Sequence, residues 1–188
     1  MINSRKIGHK ATRLSLCRGL ISLMLVASAM LLVCCGTIIE EQPSYDDTSL
    51  VGVGDLAPEF FVATLDGEYV TFGGQSDEPA LLILFSHTCP DCKNLLTALQ
   101  KRLDGGVAKH RIIAVSRGGS ESDIAAYRDE NRFTFPIAAD PLAEVYYKYA
   151  TMYVPRCYVV DSDGVIRFVT YEYTEGDVAK LFSEMAKY

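Results

Sequence analysis

The sequence predicts an α/β domain built on a central mixed sheet flanked by helices. Three observations carry this. Ala80-Leu81-Leu82-Ile83-Leu84-Phe85 is a continuous apolar run bounded by Pro79 and Ser86, the pattern of a strand buried on both faces of its sheet. Cys92, Leu95, Leu96, Leu99 and Leu103 follow it at helical spacing until Gly105-Gly106, which marks an amphipathic helix and its stop. The same alternation then continues and closes on a hairpin and a final helix, so parallel and antiparallel pairings share one sheet.

Each element has its own signal. Glu59 to Leu65 and Glu68 to Phe72 flank Asp66-Gly67, a strong hairpin turn. The buried strand and the cysteine-bearing helix come next. His110 to Ser116 carries Ile112, Ile113 and Val115 and reads as a second buried strand. Ser120-Glu121-Ser122-Asp123 resembles a capping box and opens a helix to about Asn131. Phe135 to Ala138 is a short strand, and Leu142, Val145, Tyr146 and Tyr149 mark a further helix by spacing. Arg156 to Val160 is a strand, and Asp161-Ser162-Asp163-Gly164 turns it into Val165 to Tyr171. Thr174 with Asp177 caps the last helix, whose apolar face is Val178, Leu181, Phe182 and Met185.

Residues 1–34 are expected to be an address. Arg5, Lys6, Lys10, Arg13 and Arg18 precede a stretch from Gly19 to Val33 that is apolar or small, with no acid before Glu40. That stretch is short against the roughly 20 apolar residues of a transmembrane helix and suits a signal-peptide core. Leu31-Leu32-Val33-Cys34-Cys35-Gly36 resembles the lipobox of bacterial lipoproteins, with Cys35 as the lipidated residue because Cys34 supplies the small side chain before the cut. An uncleaved anchor is the alternative. Either way the domain leaves the cytoplasm for the cell envelope, where thiols can be oxidised. Residues 35–50, acidic and containing Pro and Ser, read as a tether, and residues 51–188 as one domain.

The charge excludes one class of partner. The chain has 18 Lys+Arg and 24 Asp+Glu, net −6. Without the five basic residues of the leader it has 13 basic and 24 acidic residues, net −11, and no basic patch to hold nucleic acid.

The chemistry centres on Cys89-Pro90-Asp91-Cys92, at the junction of the buried strand and its helix. A thiol at a helix N-terminus meets unpaired N–H groups and the positive end of the helix dipole, and both favour the nucleophilic thiolate. The second thiol, one turn on, is in reach of a mixed disulfide on the first, and two intervening residues suit a reversible disulfide. Pro90 falls in the first turn, where its missing N–H costs nothing. Half of a zinc site has the same spacing, but Cys157 stands alone and His9, His87 and His110 supply no second ligand pair. The expectation is therefore no metal and no cofactor beyond a redox-active Cys89–Cys92 disulfide. The charge of Asp91 opposes a thiolate at Cys89, which points to a reducing pair nearer about −270 mV than the strongly oxidising end near −120 mV. His87 reads as a solvated loop histidine, with a protonated imidazole that favours the Cys89 thiolate as its rival, and Arg156 as either a surface or paired arginine or one facing the site. Cys157 reads as a small core residue, with a third redox thiol as its rival.

Order and spacing together resemble the thioredoxin-like fold, specifically the membrane-tethered thiol–disulfide oxidoreductases of the TlpA/ResA-like group within the redoxin (AhpC/TSA) superfamily. Gly54 to Phe60 is similar to that group's N-terminal entry, Phe85 to Lys93 to its active-site strand and turn, and Phe135-Pro136-Ile137 through Asp140 to its inserted βα unit. Val154-Pro155 falls where the fold places a cis-proline, and Val159 to Gly164 resembles the strand and turn after it. The resemblance implies Cys89 as the attacking and Cys92 as the resolving thiol. It implies Pro155 beside them, and Val154 and Pro90 with Pro155 lining the path of an incoming extended peptide. It implies protein substrates with thiols or disulfides, an upstream membrane thiol reductant, and a place near cytochrome c maturation. The chain departs from the pattern at Thr88, where Trp is usual. It also departs at Ile83 and Leu95, either of which could have been a proton-accepting acid. A peroxiredoxin-like peroxidase shares the topology, but its activating Thr and Pro are replaced by Ser86 and Leu82. A non-catalytic thioredoxin-fold binding module is the third reading.

Overall fold

The computed structural model describes residues 43–106 and 111–188. The elements are β1 (Phe60–Ala63), β2 (Tyr69–Phe72), β3 (Ala80–Phe85), α1 (Pro90–Asp104), β4 (Arg111–Ser116), α2 (Glu121–Asn131), β5 (Ile137–Ala138), α3 (Tyr146–Tyr149), β6 (Arg156–Val160), β7 (Ile166–Tyr171) and α4 (Asp177–Met185). Five strands form one sheet in the order β5-β4-β3-β6-β7. β3, β4 and β5 run parallel, whereas β6 and β7 are antiparallel to their neighbours. This is the α/β mixed sheet of a thioredoxin-like fold.

β3 is central because every one of its side chains is apolar and all six are buried. Its residues alternate between the two faces, as a pleated strand requires. Leu81, Ile83 and Phe85 join Leu95, Leu96 and Leu99 of α1, Ile124 of α2, and Leu181, Phe182 and Met185 of α4. Leu82 and Leu84 face the other way, into a core with Phe60, Phe72, Tyr146, Tyr149 and Tyr158. The hairpin β1–β2 covers this second face, with Phe60 paired to Phe72 across the ladder and their rings 5.3 Å apart.

Several boundaries differ from the sequence reading, each for a local reason. The expected helix at Leu142 begins only at Tyr146. The buried Asp140 carboxylate accepts from the N–H groups of Glu144, Val145 and Tyr146 and sets the helix start there, leaving Leu142 exposed. α4 is not capped by Thr174: Gly176 is its N-cap, and Asp177 instead accepts from the Thr174 N–H at 2.6 Å. The capping box of α2 is present as expected, between Ser120 and Asp123. The turn after β6 is held by Asp161, whose carboxylate takes the N–H groups of Asp163 and Val165 and the Arg167 guanidinium. Gly164 is required in that turn: its φ is +82°, and a Cβ there would lie 2.7 Å from the Gly74 carbonyl oxygen.

The tether expectation is corrected at its C-terminal end. Residues 43–50 belong to the folded unit, which begins at Pro43. Thr48 is buried, Leu50 N–H donates to the Tyr149 carbonyl, and Tyr45 stacks on Tyr171 at 5.3 Å. Aromatic contact and side-chain hydrogen bonds outweigh the acidic composition that suggested a free linker. The predicted leader, the Cys35 anchor, the remainder of the tether and His110 lie outside the described residues.

Candidate functional site

The site forms where β3 ends and α1 begins. Cys89 is the N-cap of α1, in extended conformation, with Pro90 at the first helical position. Its sulfur replaces the usual N-cap oxygen and accepts from the Cys92 N–H at 3.3 Å, so one orphan donor of the helix already points at it. Its carbonyl accepts the first helical bond, from the Lys93 N–H. Cys89 is half-buried, whereas Cys92 is fully buried in the α1-side core. The Ser86 N–H donates to the Cys92 sulfur at 3.4 Å. Burial, then the contact with Cys89, raises the pKa of the Cys92 thiol; the Ser86 N–H pulls weakly the other way. The two thiols therefore differ: Cys89 is reachable, and Cys92 is shielded and held protonated.

Val154 and Pro155 complete the site from across the sheet. The Val154–Pro155 peptide bond is cis, and the Cys89 thiol donates to the Val154 carbonyl at 3.7 Å. Five of the six expected site residues thus meet in one place: Cys89, Cys92, Pro90, Val154 and Pro155. Cys35 is outside the described residues.

Two tuning expectations change. Arg156 neither faces the thiols nor lies on the surface. It is fully buried on the face opposite α1, and its guanidinium donates to the carbonyls of Met152 and Tyr153 and to the hydroxyls of Thr48 and Ser49. The ring of Tyr171 stacks below it at 5.0 Å. Arg156 therefore ties the N-terminal segment to the loop that carries Val154. His87 is not a solvated loop residue. Its ring packs edge-to-face on Tyr127 and its Nδ1 is buried. Cys157 lies opposite Ile83 in the β3–β6 register, buried in the α1-side core, and burial pushes its pKa up to about 12. Asp91 is exposed.

Sequence reasoning passed over Tyr127. It sits three residues after Ile124, on the core face of α2, so its spacing reads as packing. Only the fold shows that its ring packs against Phe85 at the end of β3 and against the His87 ring two residues before Cys89.

Comparison with known proteins agrees with this geometry. The AhpC/TSA family model matches residues 53–169. The chain is 30% identical over 117 residues to the thioredoxin-like protein YneN of Bacillus subtilis, a match covering 61% of this chain and 68% of that protein. It is 28% identical over 129 residues to the thiol-disulfide oxidoreductase ResA of Oceanobacillus iheyensis, covering 64% and 66%. Among solved structures it is similar to a proposed protein disulfide isomerase from Bacteroides thetaiotaomicron, with TM-score 0.66, 25% identity, and coverage of 75% of this chain and 94% of that one. The chain belongs to the AhpC/TSA family, and the relatives it resembles there include thioredoxin-like thiol–disulfide oxidoreductases.

Proposed function

We infer that this protein is a thiol–disulfide oxidoreductase in which Cys89 attacks and Cys92 resolves. One observation carries the reading: a half-exposed sulfur caps a helix, accepts its N–H, and sits against the Val154 carbonyl, with a second sulfur shielded one turn behind it. A peptide lying extended beside Val154 and Pro155 would present a disulfide to Cys89. The Cys89 sulfur attacks one substrate sulfur, and the other leaves with its electron pair and takes a proton. Cys92 then attacks Cys89, closing the Cys89–Cys92 disulfide and releasing the second substrate thiol. A donor dithiol resets the pair.

The finer reading is a reductant of protein disulfides in the bacterial cell envelope, lipid-anchored through Cys35 and recharged by a membrane thiol reductant. Support comes from the basic and apolar leader, the Cys34-Cys35 pair that ends it, and the named relatives; cytochrome c maturation is the process this reading favours. Among the described residues no helix is long and apolar enough to cross a membrane. Insulin reduction with dithiothreitol tests the activity. The wild-type chain should accelerate precipitation of the insulin B chain, and Cys89→Ser should abolish the acceleration. Equal rates with and without wild-type protein would refute the activity.

A further inference from the structure

A peptide lying along Val154 needs that residue held in place, and the two residues leading into it are held from the other end of the chain. Tyr153 has φ +69°, a left-handed conformation that a tyrosine keeps only where its surroundings impose it. Its carbonyl accepts from the Tyr146 hydroxyl at 2.8 Å and from Arg156 Nε at 3.3 Å. The Met152 carbonyl accepts from Arg156 Nε at 3.1 Å and Nη2 at 2.8 Å. The same guanidinium also reaches the N-terminal segment. Nη1 donates to the Ser49 hydroxyl at 2.6 Å and Nη2 to the Thr48 hydroxyl at 2.7 Å. Both hydroxyls are fixed in turn, each donating to the Tyr45 carbonyl. Tyr153 adds a second tie: its hydroxyl donates to the Pro43 carbonyl at 3.0 Å, and its ring meets that of Tyr45 at 4.9 Å. None of the hydrogen-bond partners of Arg156 is a carboxylate. Its charge is buried on neutral oxygens and on the rings of Tyr171 and Tyr45, at 5.0 and 5.8 Å. A buried charge without a counter-charge is costly, and an apolar side chain would pack in this strand without that cost. The guanidinium does what an apolar side chain cannot: it fastens residues 48 and 49 to the loop that carries Val154.

We propose that Arg156, Thr48 and Ser49 are positioning residues for the substrate: they lock the N-terminal segment to the Val154 loop, and this lock makes the site prefer extended peptide disulfides over small-molecule ones. A peptide that lies along the Val154 backbone binds only while that backbone is in place. If loss of the two hydroxyls leaves the loop in place about a tenth of the time, the apparent affinity for peptide falls tenfold. Once bound, the peptide occupies the same position, so the rate of the bound complex holds and the loss falls on binding alone. A small disulfide that reaches Cys89 without touching the loop backbone is spared. The three residues act through Met152 and Tyr153, whose carbonyls Arg156 holds, and Val154 follows directly in the chain with its own carbonyl against the Cys89 sulfur.

This positioning role rests on the exchange reading, and one experiment separates the two. The reduced full chain carrying Cys17→Ser, Cys34→Ser and Cys35→Ser is mixed in single turnover with insulin in rising excess, and separately with 5,5′-dithiobis(2-nitrobenzoate), a disulfide with no peptide backbone. Thr48→Val with Ser49→Ala removes both acceptors of the guanidinium, whereas Thr48→Ser with Ser49→Thr keeps them. The first pair should raise the half-saturating insulin concentration roughly 10-fold at an unchanged maximal rate and should not slow the reaction with the small disulfide. The second pair should restore the wild-type insulin dependence. Ser49→Ala alone, at a half-buried position, should raise half-saturation roughly 3-fold and gives the same readout where the double variant does not fold. An unchanged half-saturation in a folded variant would overturn the positioning role. So would a lower maximal rate at unchanged half-saturation, or equal slowing with both disulfides. A wild-type chain that reacts with the small disulfide but leaves insulin intact would overturn the exchange reading beneath it.

Discussion

At the scale of single residues, three thiols of one sequence are set apart by burial alone. Cys89 is half-exposed, while Cys92 and Cys157 are buried with their thiols held protonated. Brief iodoacetamide treatment of native, reduced protein should therefore modify Cys89 and spare the other two, with all three reacting in urea; mass spectrometry of tryptic peptides reads this directly. Native labelling of Cys92 at the rate of Cys89 would contradict the assignment. Arg156 carries a second prediction. Its guanidinium reaches oxygens from four residues, two in the Val154 loop and two in the N-terminal segment. Lysine keeps the charge but loses the fork, so Arg156→Lys should cost about 1.5–3 kcal/mol, seen as a lower urea midpoint at unchanged slope. The cysteines were legible in the sequence because their chemistry is local: four consecutive residues between a strand and a helix. Arg156, His87 and Tyr127 were not, because each meets partners from distant parts of the chain.

At the scale of elements, termini decide more than interiors. α1 starts where it does because a cysteine serves as N-cap and a proline follows at the first position. α2 starts at a reciprocal Ser120–Asp123 box, with the serine oxygen taking the Asp123 N–H and the Asp123 carboxylate taking the Ser120 N–H. Ser120→Ala should lower unfolding free energy by about 1 kcal/mol, read from urea denaturation, and an unchanged midpoint would show that this helix end is held by packing instead. The box was legible because capping residues are contiguous. The late start of α3 was not, since it depends on a carboxylate at Asp140 that turns back on three N–H groups within its own loop.

At the scale of the whole molecule, the sheet separates two cores; Cys92 belongs to one of them and Cys89 packs against that same core. The strand–helix alternation made the sheet legible, whereas the docking of residues 43–50 was hidden by their acidic composition. Burial of thiols has a consequence for stability. Cys157 moves from an ordinary thiol value of 9.0 to about 12 on folding. Its contribution is complete below the unfolded value and is lost as pH rises through the window between the two. Across that window each pH unit weakens the folded state by up to about 1.4 kcal/mol for this one group. Cys157→Ala should therefore flatten the alkaline decline of stability relative to wild type from about pH 9 upward; parallel declines in urea midpoints would contradict it.

The central claim is that Cys89 is the sulfur that meets the substrate and Cys92 the one that releases it. The direct test is to express Cys92→Ala and Cys89→Ala in the cell envelope and map disulfide-linked species by non-reducing electrophoresis and mass spectrometry. Cys92→Ala should accumulate mixed disulfides joined through Cys89, and Cys89→Ala should accumulate none. Adducts on Cys92 in the Cys89→Ala chain, or none in the Cys92→Ala chain, would contradict the account.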